Sequence, residues 1–319
     1  MRRGGAPTLP IDPAAVPAFA RVERGPRGLR LGAAPAPAGA AEGAGGPLRL
    51  RAAAPAAVRR AEVVAGGRLV LAAGTGVAYS LAAPDMRLVH DRRPPGLDLL
   101  AGAAGANAGL LRADGGWRAV VLPSLGDMVA DLGPGPAAIR ADGRRVAAVA
   151  GGAIEERDAG AEGVAARHEG CAGALCYAAG GSLLVAAGAR VGPPGTTPLA
   201  GPAIVALAAA AAAPRVAALH EDGSVSVWEP GADEPLASWA SPVDGAGAIG
   251  LSPDGALVAL GAPDAADPAA CLARAEDGAQ VRRVEGARAI APSPAEDGLV
   301  VAGDWGCAWL MPLELEEDG

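Results

Sequence analysis

The feature that most constrains this chain is a turn that keeps returning. "LSPDGALVALGAP" (251–263) sets an Asp-Gly pair between two apolar flanks. "VVAGGRLVLAAG" (63–74), "IRADGRRVAAVAGG" (139–152), "YAAGGSLLVAAG" (177–188) and "PSPAEDGLVVAGD" (292–304) share its shape. "AGAAGANAGLLRADG" (101–115) and "AAAPRVAALHEDG" (211–223) are weaker copies. Each copy is marked by its last turn residue: Gly67, Gly105, Gly143, Gly181, Pro214, Gly255 and Gly298. The steps are then 38, 38, 38, 33, 41 and 43 residues. Asp-Gly and Gly-Gly suit two-residue hairpin turns, whose central residues need positive φ. The flanks alternate or run apolar over about five to seven residues, as strands buried on both faces do.

A third and often a fourth strand follow each hairpin. "GVAYSLA" and "MRLVHD" follow in the first unit, "GAIEERDA" and "GVAARHE" in the third, "SVSVWEP" and "PLASWAS" in the fifth. Four short strands per ~40 residues is the pattern of a β-propeller blade. A lone blade cannot bury both faces, so ring closure must supply the neighbours. The fold expected is all-β: a seven-bladed β-propeller with four-stranded antiparallel blades.

Residues 47–313 resemble the WD-repeat β-propellers, in a divergent bacterial form. The family's S-P-D-G hairpin appears as Ser252-Pro253-Asp254-Gly255. Its Trp-Asp pair at the end of the third strand has a counterpart in Trp228-Glu229, with Arg157-Asp158 at the equivalent offset in the third unit. The other units lack the pair, and the Gly-His dipeptide is missing throughout. The resemblance implies closure by an N-terminal strand. The last unit supplies only three strands, ending "CAWLMPL" (307–313), and "PLRLRAA" (47–53) fits the fourth place. This divides the chain into a Pro/Ala/Gly-rich leader (1–46), partly disordered or laid across the ring, the propeller (47–313) and an acidic tail (314–319). "ALAAAAAAP" (206–214) has helix-forming composition. The turn period demands a strand there, and small side chains suit the crowded wall of a central channel.

Composition narrows the chemistry. All 27 basic residues are Arg, which excludes a phosphate-loop lysine and any Schiff-base lysine. Net charge is −8, although residues 1–30 hold six Arg against Asp12 and Glu23. An acidic body repels phosphate backbones, so nucleic acid is not an expected partner. Four Cys in 319 residues do not make a disulfide framework. No apolar core follows "MRRGGAPTLPIDP", and the longest apolar run, 203–213, is too short to span a bilayer. These features point to a soluble cytoplasmic protein without membrane contact.

Apparent motifs dissolve in context. "GAGAIG" (245–250) is a literal G-x-G-x-x-G, but a turn follows where a dinucleotide site needs a helix. It reads as a connection between blades. "RHEGCAGALC" offers His168, Glu169, Cys171 and Cys176, but the Cys gap does not suit zinc and no second pair lies near. Strand positions that use Cys as a small hydrophobe explain it better. No catalytic residue, metal ligand or cofactor is assigned.

The connections carry the strongest functional signal. Links between second and third strands all open on one end of the ring. They hold Asp114, Glu221, Asp222, Asp264, Asp267 and Asp304, with Trp117 and Trp305 alongside. Arg92 and Arg93 fall at the same end. On a ring these residues form an acidic rim with aromatic anchors, a docking face for a basic protein surface. The expected role is a non-catalytic scaffold for protein–protein interaction, an accessory subunit of a bacterial multiprotein system. The alternative is a propeller enzyme or small-ligand sensor working through the axial channel, which requires charged or polar residues converging at the axis. A third reading makes the Arg-rich leader an arm inserted into a neighbouring subunit.

Overall fold

A computed structural model describes residues 57–310, except 75, 84, 85, 130, 162, 296, 297 and 305. It also describes the backbone of three short strands before them, Ala20–Gly25, Gly28–Ala33 and Arg49–Ala52. The expected leader and acidic tail fall otherwise outside the described residues. So do the side chains of the expected closing strand.

The chain forms seven antiparallel sheets in sequence order, and no α-helix occurs among the described residues. The first blade holds Val58–Val64, Leu69–Gly74, Val77–Ala82 and Arg87–Arg92. The second runs from Leu99 to Val129, the third from Ala137 to Glu169, the fifth from Ile204 to Ala240 and the sixth from Ala248 to Glu285. Each of these five blades has four strands paired in order. The fourth blade differs: Leu175–Tyr177, Leu183–Ala187 and Arg190–Gly192 make only three. The seventh contributes Ala287–Pro292, Leu299–Gly303 and Gly306–Leu310 from the C-terminal segment.

The first strands of successive blades touch one another in turn. Ala287–Pro292 of the seventh packs back on Val58–Val64 of the first. The ring is therefore closed by blade-to-blade contact within the described residues.

Three copies of the recurring turn share one physical form. Gly143, Gly181 and Gly255 each donate their amide to the residue three positions earlier, Arg140, Ala178 and Ser252, at 2.8–2.9 Å. All three sit at φ between +69° and +80°, where a Cβ would strain the backbone. In the Ser252–Gly255 turn the Leu257 amide donates to Ser252 Oγ and the Ala256 amide to Asp254 Oδ1. The poly-alanine segment is a strand over Ile204–Ala209, paired to Val216–His220. Pairing and packing override its helix propensity.

The core is not central. Each described core cluster lies in a seam between two neighbouring blades. In the second strand of the first blade, Val70 and Ala72 join Val300 and Trp309 of the seventh blade. Leu71 and Ala73, pointing the other way, join Leu100, Leu111 and Val120 of the second. The two-residue strand period thus feeds two seams at once, which is why the strands read as nearly continuous apolar runs. Fully burying a side chain such as Leu71 contributes about 2 kcal/mol.

Candidate functional site

The antiparallel order puts links between second and third strands, and links from one blade to the next, on the same end of the ring. Asp114 forms a tight turn with Gly115, φ being 51° and 75°. It joins Ala108–Ala113 to Gly116–Val121. Glu221 and Asp222 form the corresponding turn of the fifth blade and are exposed. Asp222 accepts from the Ser224 amide and hydroxyl, which hold its carboxyl below the usual range. Asp264 and Asp267 are exposed on the sixth-blade link. Asp264 lies 3.5 Å from Arg59.

Asp304 is engaged more firmly. Arg288 holds it through two hydrogen bonds of 2.7 and 2.8 Å, and they lower the carboxyl pKa. Arg92 is likewise occupied, making a bidentate pair with Asp127 of the second blade and donating to the Leu125 carbonyl. Arg93 is exposed and only 3.9 Å from Asp91.

The expected aromatic anchors do not stand with these groups. Trp117 is only 5% exposed, packed in the seam between the second and third blades. Its indole N–H donates to the Gly135 carbonyl at 2.8 Å. It therefore lies beneath the rim: strand alternation turns it inward one residue after the link. Trp305 falls outside the described residues.

Two further acids belong to this end. Asp131 and Asp244 are exposed on the links leading into the third and sixth blades. The same topological rule identifies them once inter-blade links are included. Glu221, Asp222, Asp244 and Asp267 then form an arc over the fifth and sixth blades with no ion pair among the described residues. On the other end, Asp142, Asp158 and Asp277 are each held by an Arg, although Glu229 and Glu234 stay open.

An axial cavity of about 540 Å³ runs between the first strands of all seven blades. Small apolar residues dominate its wall, among them Ala137, Ala208, Ala248 and Ala289. The charged exceptions are Arg60 and Glu62 from the first blade and Arg112 from the second. Arg112 is paired to Asp98 and lies 6.0 Å from the Trp117 ring centroid.

The remaining polar clusters are local. His220 Nε2 and the Trp228 indole N–H both meet Ser226 Oγ, at 2.7 and 2.8 Å, inside one hairpin. His220 Nδ1 lies 2.9 Å from the Pro202 carbonyl. Only residues 245–247 of the expected 245–250 connection are a link; 248–250 belong to the strand Ala248–Leu251, the first of the sixth blade. Cys176 is buried in a strand, but Cys171 is exposed on the link before it. The strand explanation therefore covers only one of that pair. Among the described residues no group of three His, Cys, Asp or Glu is placed to hold a metal ion. No helix among them is long and apolar enough to cross a membrane. A scan of protein-family models gives no match to the chain, and a search of curated proteins gives none.

Proposed function

We propose that this chain is a non-catalytic propeller scaffold, of the divergent WD-repeat-like kind, that docks a basic protein surface. In this reading it serves as an accessory subunit of a bacterial multiprotein system in the cytoplasm. The observation that carries it is the arc of Glu221, Asp222, Asp244 and Asp267. These carboxylates are exposed, close in the ring order and without cationic partners among the described residues. Uncompensated charge of one sign on a rigid frame steers and orients an oppositely charged partner. Asp264 and Asp304, already paired with Arg59 and Arg288, belong to the frame more than to the docking face. Asp114 and Arg93 extend the face beyond the arc.

Affinity capture of the tagged chain at native abundance tests the reading. A partner should be recovered and should elute with rising salt. Charge reversal at Glu221, Asp222 and Asp267 should abolish its recovery while leaving the fold intact. Repeated recovery of the chain alone, or capture indifferent to charge reversal, overturns the reading.

The same reading includes closure of the seventh blade by the N-terminal strand. Antiparallel alignment of Arg49–Ala52 with Gly306–Leu310 supports it. Removing residues 1–46, which takes away the two strands paired outside Arg49–Ala52, should lower stability less than removing residues 1–56. Equal stability of the two truncations contradicts the clasp.

A further inference from the structure

Arg60 and Glu62 stand two residues apart on Val58–Val64 and share one face of that strand. Both line the axial cavity. Neither has a hydrogen bond or ion pair among the described residues; their mutual interaction is through space. This is a costly arrangement for two half-buried charges on a channel wall, since unpartnered ions lose part of their hydration without recompense. Burial is the main influence on each, pushing Glu62 up to about 7 and Arg60 below its usual range.

Among the described residues the surroundings supply no direct partner. Arg112 is already committed to Asp98. Asp264 and Asp98 act on Arg60 only at a distance. Gly102 of the second blade lets the strand carrying Glu62 approach, because a Cβ there would lie 3.1 Å from Glu62 Cβ and closer still to Val64. Apart from Arg112, Trp117 and Tyr177 the wall is mostly small and apolar, and the alanines of Ile204–Ala209 leave room on the far side. A cavity of about 540 Å³ lies within the size range of small-molecule sites, and a few polar groups in an apolar wall are what fixes a ligand's orientation.

We propose that the axial channel is a binding site for a short apolar zwitterion of the dipeptide class, its carboxylate on Arg60 and its ammonium on Glu62. The spacing favours a dipeptide over a single amino acid. Positions i and i+2 of a strand are about 6.7 Å apart, close to the span between the charged ends of an extended two-residue peptide. Apolar side chains of the ligand would rest on the alanine-rich wall. This goes beyond the docking arc and does not depend on it.

Isothermal titration of the full chain with L-Leu-L-Leu tests the assignment, alongside N-acetyl-Leu-Leu, Leu-Leu-amide and free L-leucine. The dipeptide should bind saturably, one per chain. Each blocked form should bind at least about tenfold more weakly, as expected when a charge-assisted contact is lost. Arg60→Gln and Glu62→Gln should each weaken the dipeptide by a similar factor. Val205→Trp supplies a variant that leaves the blade seams alone. Val205 lines the same cavity and is 49% exposed, so the larger ring should plug the channel and abolish binding without unfolding the chain. The assignment is overturned by no saturable heat at about 10 mM dipeptide, well below ordinary ligand affinity. It is also overturned by binding that survives Val205→Trp, or by blocked forms or free leucine that match the dipeptide. Charge reversal on the Glu221–Asp267 arc should leave the dipeptide affinity unchanged, which separates this site from the docking face.

Discussion

The Tyr177 hydroxyl of the fourth blade donates a 3.0 Å hydrogen bond to Glu156 Oε2 of the third. His168 Nε2 meets the other oxygen of the same carboxylate, also at 3.0 Å. One carboxylate therefore ties the last strand of one blade to the first strand of the next. It bridges the seam beside the apolar cluster of Ile154, Leu175 and Val185. Burial, followed by the charge on Glu156, raises the Tyr177 pKa, so the hydroxyl remains a donor across the physiological range.

Tyr177→Phe should remove this bond while keeping the ring. The loss is expected at about 1–2 kcal/mol, because a charged acceptor strengthens the bond and then loses a partner. Urea unfolding read by tryptophan fluorescence measures it. Unchanged stability would show that the seam draws nothing from the contact.

Gly255→Ala should also destabilise the chain. Gly255 sits at φ +74°, and an added Cβ would lie 2.8–3.2 Å from the Arg215 side chain. Arg215 also donates to the Gly255 carbonyl, linking turns of two blades. A cost of about 1–2 kcal/mol is expected from the left-handed backbone and the displaced Arg. Gly151, at φ +57° with open space around it, should show a smaller cost on the same substitution.

Stability should fall as pH rises through the interval set by Glu62. Burial holds this carboxyl at about 7, against an ordinary 4.5. Between those values the folded chain retains a proton that the unfolded chain has released, so folding weakens with rising pH and levels off above. The contribution is on the order of 1–3 kcal/mol. Glu62→Gln should flatten this part of the profile and raise stability at pH ~8, above the shifted value. Parallel profiles for parent and variant from about pH 4 to 8 would contradict this assignment.

The four thiols should differ sharply. Cys171 is exposed, whereas Cys176, Cys271 and Cys307 are buried. Burial pushes Cys176 up to about 12 and Cys271 to about 11, and raises Cys307 further. A thiol-exchange reagent near pH 8 should titrate a single Cys in the folded chain and all of them in denaturant. Cys171→Ser should leave the folded protein silent. Fast reaction of a second thiol would mean that a seam opens readily.

Much of the architecture was readable because turn chemistry is local. Gly143, Gly181 and Gly255 announce their hairpins through residues within the same turn, and their spacing counts the blades. The poly-alanine strand was readable only through that spacing, since its own propensity points to helix. Side-chain direction was harder. Trp117 lies beside an exposed Asp-Gly turn in sequence, yet the register of its strand turns it under the rim. Arg60 and Glu62 carry no motif. Their importance depends on which parity of Val58–Val64 faces the axis, and that follows from how seven blades meet. The fourth blade's missing strand was invisible for a related reason: 193–203 has turn composition, but nothing local says that no strand replaces it.

Placing the core in seams has a consequence for failure. A stack of repeats with two ends can fray from either one, shedding units singly. A hoop offers no such starting point. Parting any one joint lays bare two raw apolar flanks together, so an injury to a single joint is resisted by all the others until the whole hoop lets go.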